Sequence, residues 1–408
     1  MPGRHMINDT TELDTRAIRT EFPALADGRA YLDAAAGTQT PAAVISAIAG
    51  AYRHGLSNTD GFFPASQHAN YLVAECRQAV ADLVGGDPQG VVMGPSMTSL
   101  TYKFSDLLAR EWSPGDEIVI SRLEHDGNFR PWVQAASRAG ATVRVAEVDL
   151  DSGELPLEQY ERLVGPRTRL VAVTAASNVL GTRPDVSGIS AIAHREGALT
   201  YVDGVHATPH SPVDVQSLGA DFYVTSAYKW CGPHVAALVA PPDLLDRFRP
   251  DKLLPASDSV PDRFQLGTPP FADYAGVTAA VEHLAGLAGT APGSRRQRIL
   301  RAMAAVEASE ERLFKVLLGA LLEMPGITVF GRAVRRAPTA YFTVAGHTPD
   351  GVASLLAARG VNVWSGDNYA YEITRALGLQ PQGAVRAGLV HYNDHADVDR
   401  LISGLQDI

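Results

Sequence analysis

Between Val91 and Val239 the chain repeats one pattern: short apolar runs separated by stretches with helical spacing. The runs are Val91–Met93, Glu117–Ile120, Thr142–Val145, Leu170–Val173, Leu199–Val202, Phe222–Val224 and Ala236–Val239. Each is too short for a stable helix, and most are rich in β-branched or aromatic residues, so they read as strands. Several are apolar at nearly every position instead of every second one, which marks strands covered on both faces and a mainly parallel sheet. This spacing predicts a doubly wound α/β domain, whose ligands bind beyond the carboxyl ends of the strands.

Several polar residues fall at those predicted ends. Tyr201-Val202-Asp203-Gly204-Val205-His206 carries a strand into an acid, and Phe222-Tyr223-Val224-Thr225-Ser226-Ala227-Tyr228-Lys229 carries the next into a lysine among apolar and aromatic neighbours. A lysine at a strand end reads on its own as a side chain snorkelling to solvent. Desolvated, the same lysine has a free amine near neutral pH and can condense with an aldehyde. A lysine to hold the aldehyde and a carboxylate to keep the pyridine nitrogen protonated are the two groups that pyridoxal 5'-phosphate needs, and Lys229 and Asp203 fit them.

At these residues, and over about Tyr31 to Leu405, the chain resembles the class V aminotransferase and cysteine desulfurase family, of fold type I among pyridoxal phosphate enzymes. The resemblance implies a role for each matching segment. Ser96-Met97-Thr98, at a strand-to-helix junction suited to anions, would hold the cofactor phosphate, although the family more often has a Thr-Thr pair where this chain has Ser-Met. His125, in Glu124-His125-Asp126-Gly127-Asn128, would stack on the pyridine ring and could carry a proton. Asn178, in Ser177-Asn178-Val179-Leu180-Gly181, would donate to the cofactor's phenolic oxygen, as would His206 at a position where desulfurases carry glutamine. Ser226 would bind the phosphate, and Tyr228 stands where histidine is common. The spacings from Asn178 to Asp203 and from Asp203 to Lys229 each match one strand-helix-strand unit, which brings all three to one sheet edge.

The substrate end follows by the same resemblance. Arg386 would grip the substrate carboxylate, a task suited to a planar fork, and the loop holding Ala35 and Ala36 would line that end. Thr268, in Gly267-Thr268-Pro269, would reach the phosphate of a neighbouring subunit, and Asn58–Phe63 would cross the same interface, giving a homodimer with shared sites. In cysteine desulfurases a nucleophilic cysteine lies on a small-domain loop. Here that loop reads Val363-Trp364-Ser365-Gly366-Asp367-Asn368-Tyr369-Ala370-Tyr371, with Tyr369 near the thiol's place and Trp364 in place of an arginine. The pattern resembles a desulfurase-like subgroup that includes enzymes of specialised metabolism acting on cysteine S-conjugates.

After Gly267 the texture changes to long helices, Ala275–Leu287 and Ser294–Leu322, then strands at Ile327–Phe330, Ala340–Val344, Val361–Trp364 and Ala384–Leu389 with a helix at Asp350–Ala358. This suggests a smaller α+β unit. The expected division is 26–275 for the large cofactor-binding domain, 12–25 with 276–408 for the small one, and 1–11 as a loose tail. Apolar content of 46% suits two cores in a soluble chain. The 35 basic and 45 acidic residues, net −10, include no dense basic cluster, so nucleic acid is not expected as a partner. No apolar run reaches membrane-spanning length, and a polar start unlike a signal peptide suggests the cytoplasm. Cys76 and Cys231 form no metal or disulfide spacing and read as plain buried thiols. Two classes of function remain: an enzyme acting on an amino acid, by C–S elimination, decarboxylation-coupled oxidative deamination, aminotransfer or epimerisation; and a non-catalytic binding protein on the same scaffold.

Overall fold

The structure is a computed structural model that describes residues 13–289 and 292–408. The expected tail at 1–11 lies outside the described residues. Among the described residues thirteen strands run in chain order: β1 (Ala30–Tyr31), β2 (Val91–Gly94), β3 (Glu117–Ser121), β4 (Thr142–Ala146), β5 (Thr168–Thr174), β6 (Leu199–Asp203), β7 (Phe222–Ser226), β8 (Ala236–Val239), β9 (Ile327–Phe330), β10 (Thr339–Val344), β11 (Val361–Asn362), β12 (Trp364–Gly366) and β13 (Ala384–Gly388).

The seven strands expected between Val91 and Val239 form one sheet in the order β2-β8-β7-β6-β5-β3-β4. Within it β8 alone runs against its neighbours β2 and β7. Side chains leave the sheet alternately to two apolar layers. Val119, Val171, Val173 and Tyr223 enter one, while Ile118, Ile120, Leu170, Ala172 and Phe222 enter the other. Full burial of each large side chain contributes about 1.5–3 kcal/mol, which is why both faces stay covered. β5, β6 and β7 are adjacent, with Thr174 opposite Asp203 and Asp203 opposite Val224, so their carboxyl ends share one edge. The chain leaves β6 through Gly204, where a Cβ would lie 1.9 Å from the Tyr223 ring; no larger residue fits that turn.

The C-terminal unit is a four-stranded sheet, β12-β13-β10-β9, antiparallel throughout. Its core joins Phe314 and Leu317 of the Arg295–Glu323 helix, Val352 and Leu356 of the Pro349–Ala358 helix, and Val398 and Leu401 of the His395–Gln406 helix. Three details depart from the expected outline. Val361–Trp364 is not one strand: β11 pairs in parallel with β1, and after Val363 β12 pairs with β13. Ala30 and Leu32 belong to the C-terminal core although they lie after residue 26. The helix Phe271–Gly286 runs through residue 275 and packs on the helices Ala42–His54 and Pro64–Val84 of the large unit. Pairing of a two-residue strand with a segment some 330 positions away leaves no local periodicity to read. Among the described residues no helix is long and apolar enough to cross a membrane.

Candidate active site

The carboxyl edge of the sheet and the C-terminal unit enclose a cleft of about 850 Å³ that opens inward to a smaller cavity of about 80 Å³. Thr98, His125, Asn178, Tyr228 and Lys229 line both. The inner cavity adds Ser96, Met97, Asp203, His206 and Ser226; the outer cleft adds Ala35, Ala36, Trp364, Tyr369 and Arg386. Fifteen of the sixteen expected site residues therefore meet in one place. Thr268 is the exception, lining surface depressions with Pro95 and Ser99 on one side and with Asn58, Thr59 and Asp60 on the other.

At the floor, Asp203 ends β6 and Ser226 ends β7, after which one tight turn, Ala227–Lys229, presents the lysine. The Lys229 amine donates to the Ala35 carbonyl. Burial pushes it down to about 7, Arg386 adds to the fall, and Asp203 opposes it. Burial raises Asp203 to about 6, countered by the Val205 N–H at 2.9 Å and by Lys229. Opposite them, Ser96 caps the helix Met97–Leu108, accepting from Ser99 N at 3.1 Å, so free amides and the positive end of the helix dipole face the cavity.

His125 forms one wall. Its Nδ1 accepts from Gly127 N at 2.9 Å, which places the proton of the neutral ring on Nε2. Burial, with Lys229 and Arg386 nearby, holds the ring at about 4, so it stays neutral near pH 7 and offers an uncharged face. Tyr369 stacks on it at 5.6 Å. His206 is also kept neutral by burial, and its Nε2 bonds Thr339 Oγ1 at 2.9 Å.

The outer wall comes from the C-terminal unit. Arg386 on β13 lies opposite Trp364 on β12 and donates to the Asn178 carbonyl at 3.1 Å. Burial lowers its guanidinium to about 10, while Tyr341 and Asp33 favour the charge. Asn368 and Tyr369 both adopt the left-handed region, φ 53° and 58°. That strained pair is pinned by Asn178 Nδ2 donating to Asn368 O at 2.8 Å and by Asp126 N donating to Tyr369 O at 2.6 Å. The sequence reading missed Asp33, Asn368 and Glu124. An acid amid Leu32-Asp33-Ala34-Ala35 was a signal for the first, and asparagine's tolerance of positive φ for the second. Glu124, raised by burial to about 8, accepts from Asn128 Nδ2 at 2.6 Å and from Thr174 N at 2.8 Å, tying the His125 loop to the end of β5.

A doubly wound sheet with a small C-terminal unit, a lysine of depressed pKa and a buried acid at adjacent strand ends define a fold type I pyridoxal phosphate enzyme. The comparisons agree: the family model for aminotransferase class-V matches residues 30–401, and the chain belongs to that family. An uncharacterized protein of Mycobacterium tuberculosis is 34% identical, covering 97% of this chain and 99% of that one. The cysteine desulfurase of Klebsiella pneumoniae strain MGH 78578 is 34% identical over 96% of this chain and 97% of its own. Two mycobacterial proteins named as probable cysteine desulfurases are longer, and this chain spans 58% and 65% of them. Among solved structures, the cysteine desulfurase CsdA of Escherichia coli superposes with a TM-score of 0.85 at 28% identity, covering 97% of this chain and 98% of that one. The cysteine desulfurase of Thermococcus onnurineus NA1 gives 0.88 at 27%, with the same coverage.

The cofactor of this family, pyridoxal 5'-phosphate, suits the residues present. The amine of Lys229 and the acid of Asp203 border one small cavity that the amides at the start of the Met97–Leu108 helix also face, and Asn178 Nδ2, which gives one hydrogen to Asn368 O, has a second to give to a phenolic oxygen there. Lys229 would hold the aldehyde, Asp203 the ring nitrogen, and Ser226 with the 96–98 amides the phosphate.

Proposed function

We propose that the enzyme is a C–S lyase that eliminates the sulfur substituent of cysteine or of an S-substituted cysteine. One observation carries this reading: the cleft holds a complete amino-acid site but no thiol. The chain's two cysteines, Cys76 and Cys231, are wholly buried and neither lines it. Carbon–sulfur cleavage here must expel sulfur directly, without transfer to the protein.

When bound, the cofactor supplies an electron sink conjugated to the substrate amino group. The chain supplies the rest. Arg386 pairs with the substrate carboxylate and so fixes the orientation of the substrate in the cleft. The Lys229 amine, unprotonated above about pH 7, takes the α-proton at Nζ. The Cβ–S bond then breaks and its electron pair leaves with sulfur as a thiolate. Addition of one water gives thiol, pyruvate and ammonia in all. Trp364 and Tyr369, both largely exposed at the mouth, receive the sulfur substituent.

The active unit we propose is a homodimer. Phe62, Leu253, Leu254 and Leu266 are strongly exposed around Thr268 and the 58–63 loop, a surface suited to a second copy. Sedimentation should give a dimer, and a fully active monomer would refute it. For the reaction, incubation with S-substituted cysteines should release thiol and pyruvate in equal amounts. Carbon dioxide with sulfur retained, a keto acid with aminated cofactor, or loss of optical activity alone would each replace elimination with another reaction.

A further inference from the structure

Two residues beyond Lys229 the chain buries a second constellation that takes no part in the cleft. Cys231 follows the lysine turn, His283 lies on the Phe271–Gly286 helix, and His391 follows β13; their ligand atoms lie within 4.8 Å of one another. His283 Nε2 faces His391 Nε2 at 3.3 Å, and Cys231 Sγ lies 3.9 Å from the same atom. The three residues are 0%, 8% and 3% exposed. Glu21 Oε2 sits 3.0 Å from His283 Nδ1. An ionised carboxylate only accepts, so His283 carries its proton on Nδ1 and turns a lone pair inward. His391 Nδ1 is buried without a hydrogen-bond partner, and Cys231 holds a left-handed backbone, φ 69°. Polar packing alone gives no reason for three soft or borderline donors from three separate elements to converge.

We propose that Cys231, His283 and His391 bind a divalent metal of the zinc class, with Glu21 orienting His283. Zinc–nitrogen bonds of about 2.0–2.1 Å and a zinc–sulfur bond of about 2.3 Å set tetrahedral edges of about 3.3 Å between nitrogens and about 3.6 Å between nitrogen and sulfur. The 3.3 Å edge is already in place, the Sγ–His391 edge closes by a few tenths of an ångström, and Sγ, within 4.8 Å of the His283 ligand atom, turns towards it to close the third. A ligating histidine that donates its other N–H to a carboxylate is the usual outer-shell arrangement. The charges also balance. Binding releases the Cys231 proton to solvent, the cation and thiolate together leave one positive charge, and the Glu21 carboxylate, reached through His283, offsets it. Glu21 is half exposed, so metal and a water as fourth ligand enter from its side. The bound ion fastens the segment behind Lys229 to the large-unit helix and to the strand end that carries Arg386. Its role is structural.

The test uses the full chain with its cofactor bound. Treatment with a chelator followed by Co²⁺ should load one cobalt per chain and give the near-ultraviolet thiolate-to-cobalt band and the intense visible bands of a tetrahedral site. Cys231→Ser should abolish the thiolate band, His283→Gln should weaken Co²⁺ binding at least about 100-fold, and Glu21→Gln about 10-fold. Retained cofactor colour shows that each variant is folded. If Cys231→Ser does not fold, the wild-type cobalt spectrum and His283→Gln decide alone. Wild-type protein that takes up no cobalt at micromolar concentration, or whose cobalt shows no thiolate band, overturns the proposal.

Discussion

The floor and the mouth of the cleft are built differently. At the floor, Asp203, His206, Ser226 and Lys229 are 3%, 3%, 2% and 8% exposed, and all end a strand of one sheet or follow one within three residues. At the mouth, Trp364 and Tyr369 are 51% and 73% exposed and come from the other unit, on a backbone pinned by contacts to Asn178 and Asp126. The floor is rigid because its residues inherit the register of buried strands. The mouth is set by how two units dock, so its side chains can change at little cost to the fold. On the proposed function, chemistry falls to the first region and selectivity to the second.

The largest test of this division is Lys229→Ala. The variant should lose cofactor colour on dialysis and at least about 10³-fold in turnover, with borohydride no longer fixing cofactor to the 229 peptide. Fixation at Lys103, whose amine burial lowers to about 8 but which lines a different depression, would place the floor elsewhere. Arg386→Gln should keep the colour and raise KM by about 100-fold, the worth of a lost charged pair, measured by steady-state kinetics.

A third test is by pH. The Lys229 amine titrates at about 7 when folded, against 10.5 when unfolded, so the free amine predominates above 7. Cofactor uptake by cofactor-free protein should fall about tenfold per unit below pH 7 and level off above it. Between 7 and 10.5 the unfolded chain binds more protons, so this group makes the cofactor-free fold more stable as pH rises through that window, readable in urea titrations. In Arg386→Gln, with the neighbouring cation gone, both curves should move to higher pH. The smallest effect is expected at the mouth. Trp364→Ala should leave cofactor binding unchanged and lower kcat/KM about fivefold for a bulky S-substituent relative to a small one, or about 1 kcal/mol. Equal losses on both substrates would remove the distinction between floor and mouth.

How much was legible follows the same line. Asp203, Ser226 and Lys229 could be placed because each sits at the end of an apolar run, and a run of strand length is a local signal. Ser96–Thr98 could be placed because hydroxyl residues before a helical pattern mark an N-terminus. Asp33 and Asn368 carry only weak local signals as site residues, since each is tied to the cleft through Arg386 or Asn178 far along the chain. The segment from Tyr31 reads as a strand running into a small-residue loop, but its pairing was hidden for the same reason, its partners being Val361, Asn362 and Gly388.

Sequence by itself determined the seven strands, the burial of the central ones on both faces, and which polar residues stand at their carboxyl ends, because strand periodicity and strand-end composition are short-range properties. Only the tertiary structure decided that Arg386 donates to the carbonyl of Asn178, 208 positions away, that Asn368 and Tyr369 are held in a left-handed turn over His125, and that Cys231 meets His283 and His391. Those contacts arise from docking preformed units, where burying complementary surfaces outweighs the entropy of closing long loops, and no window of adjacent residues encodes that balance.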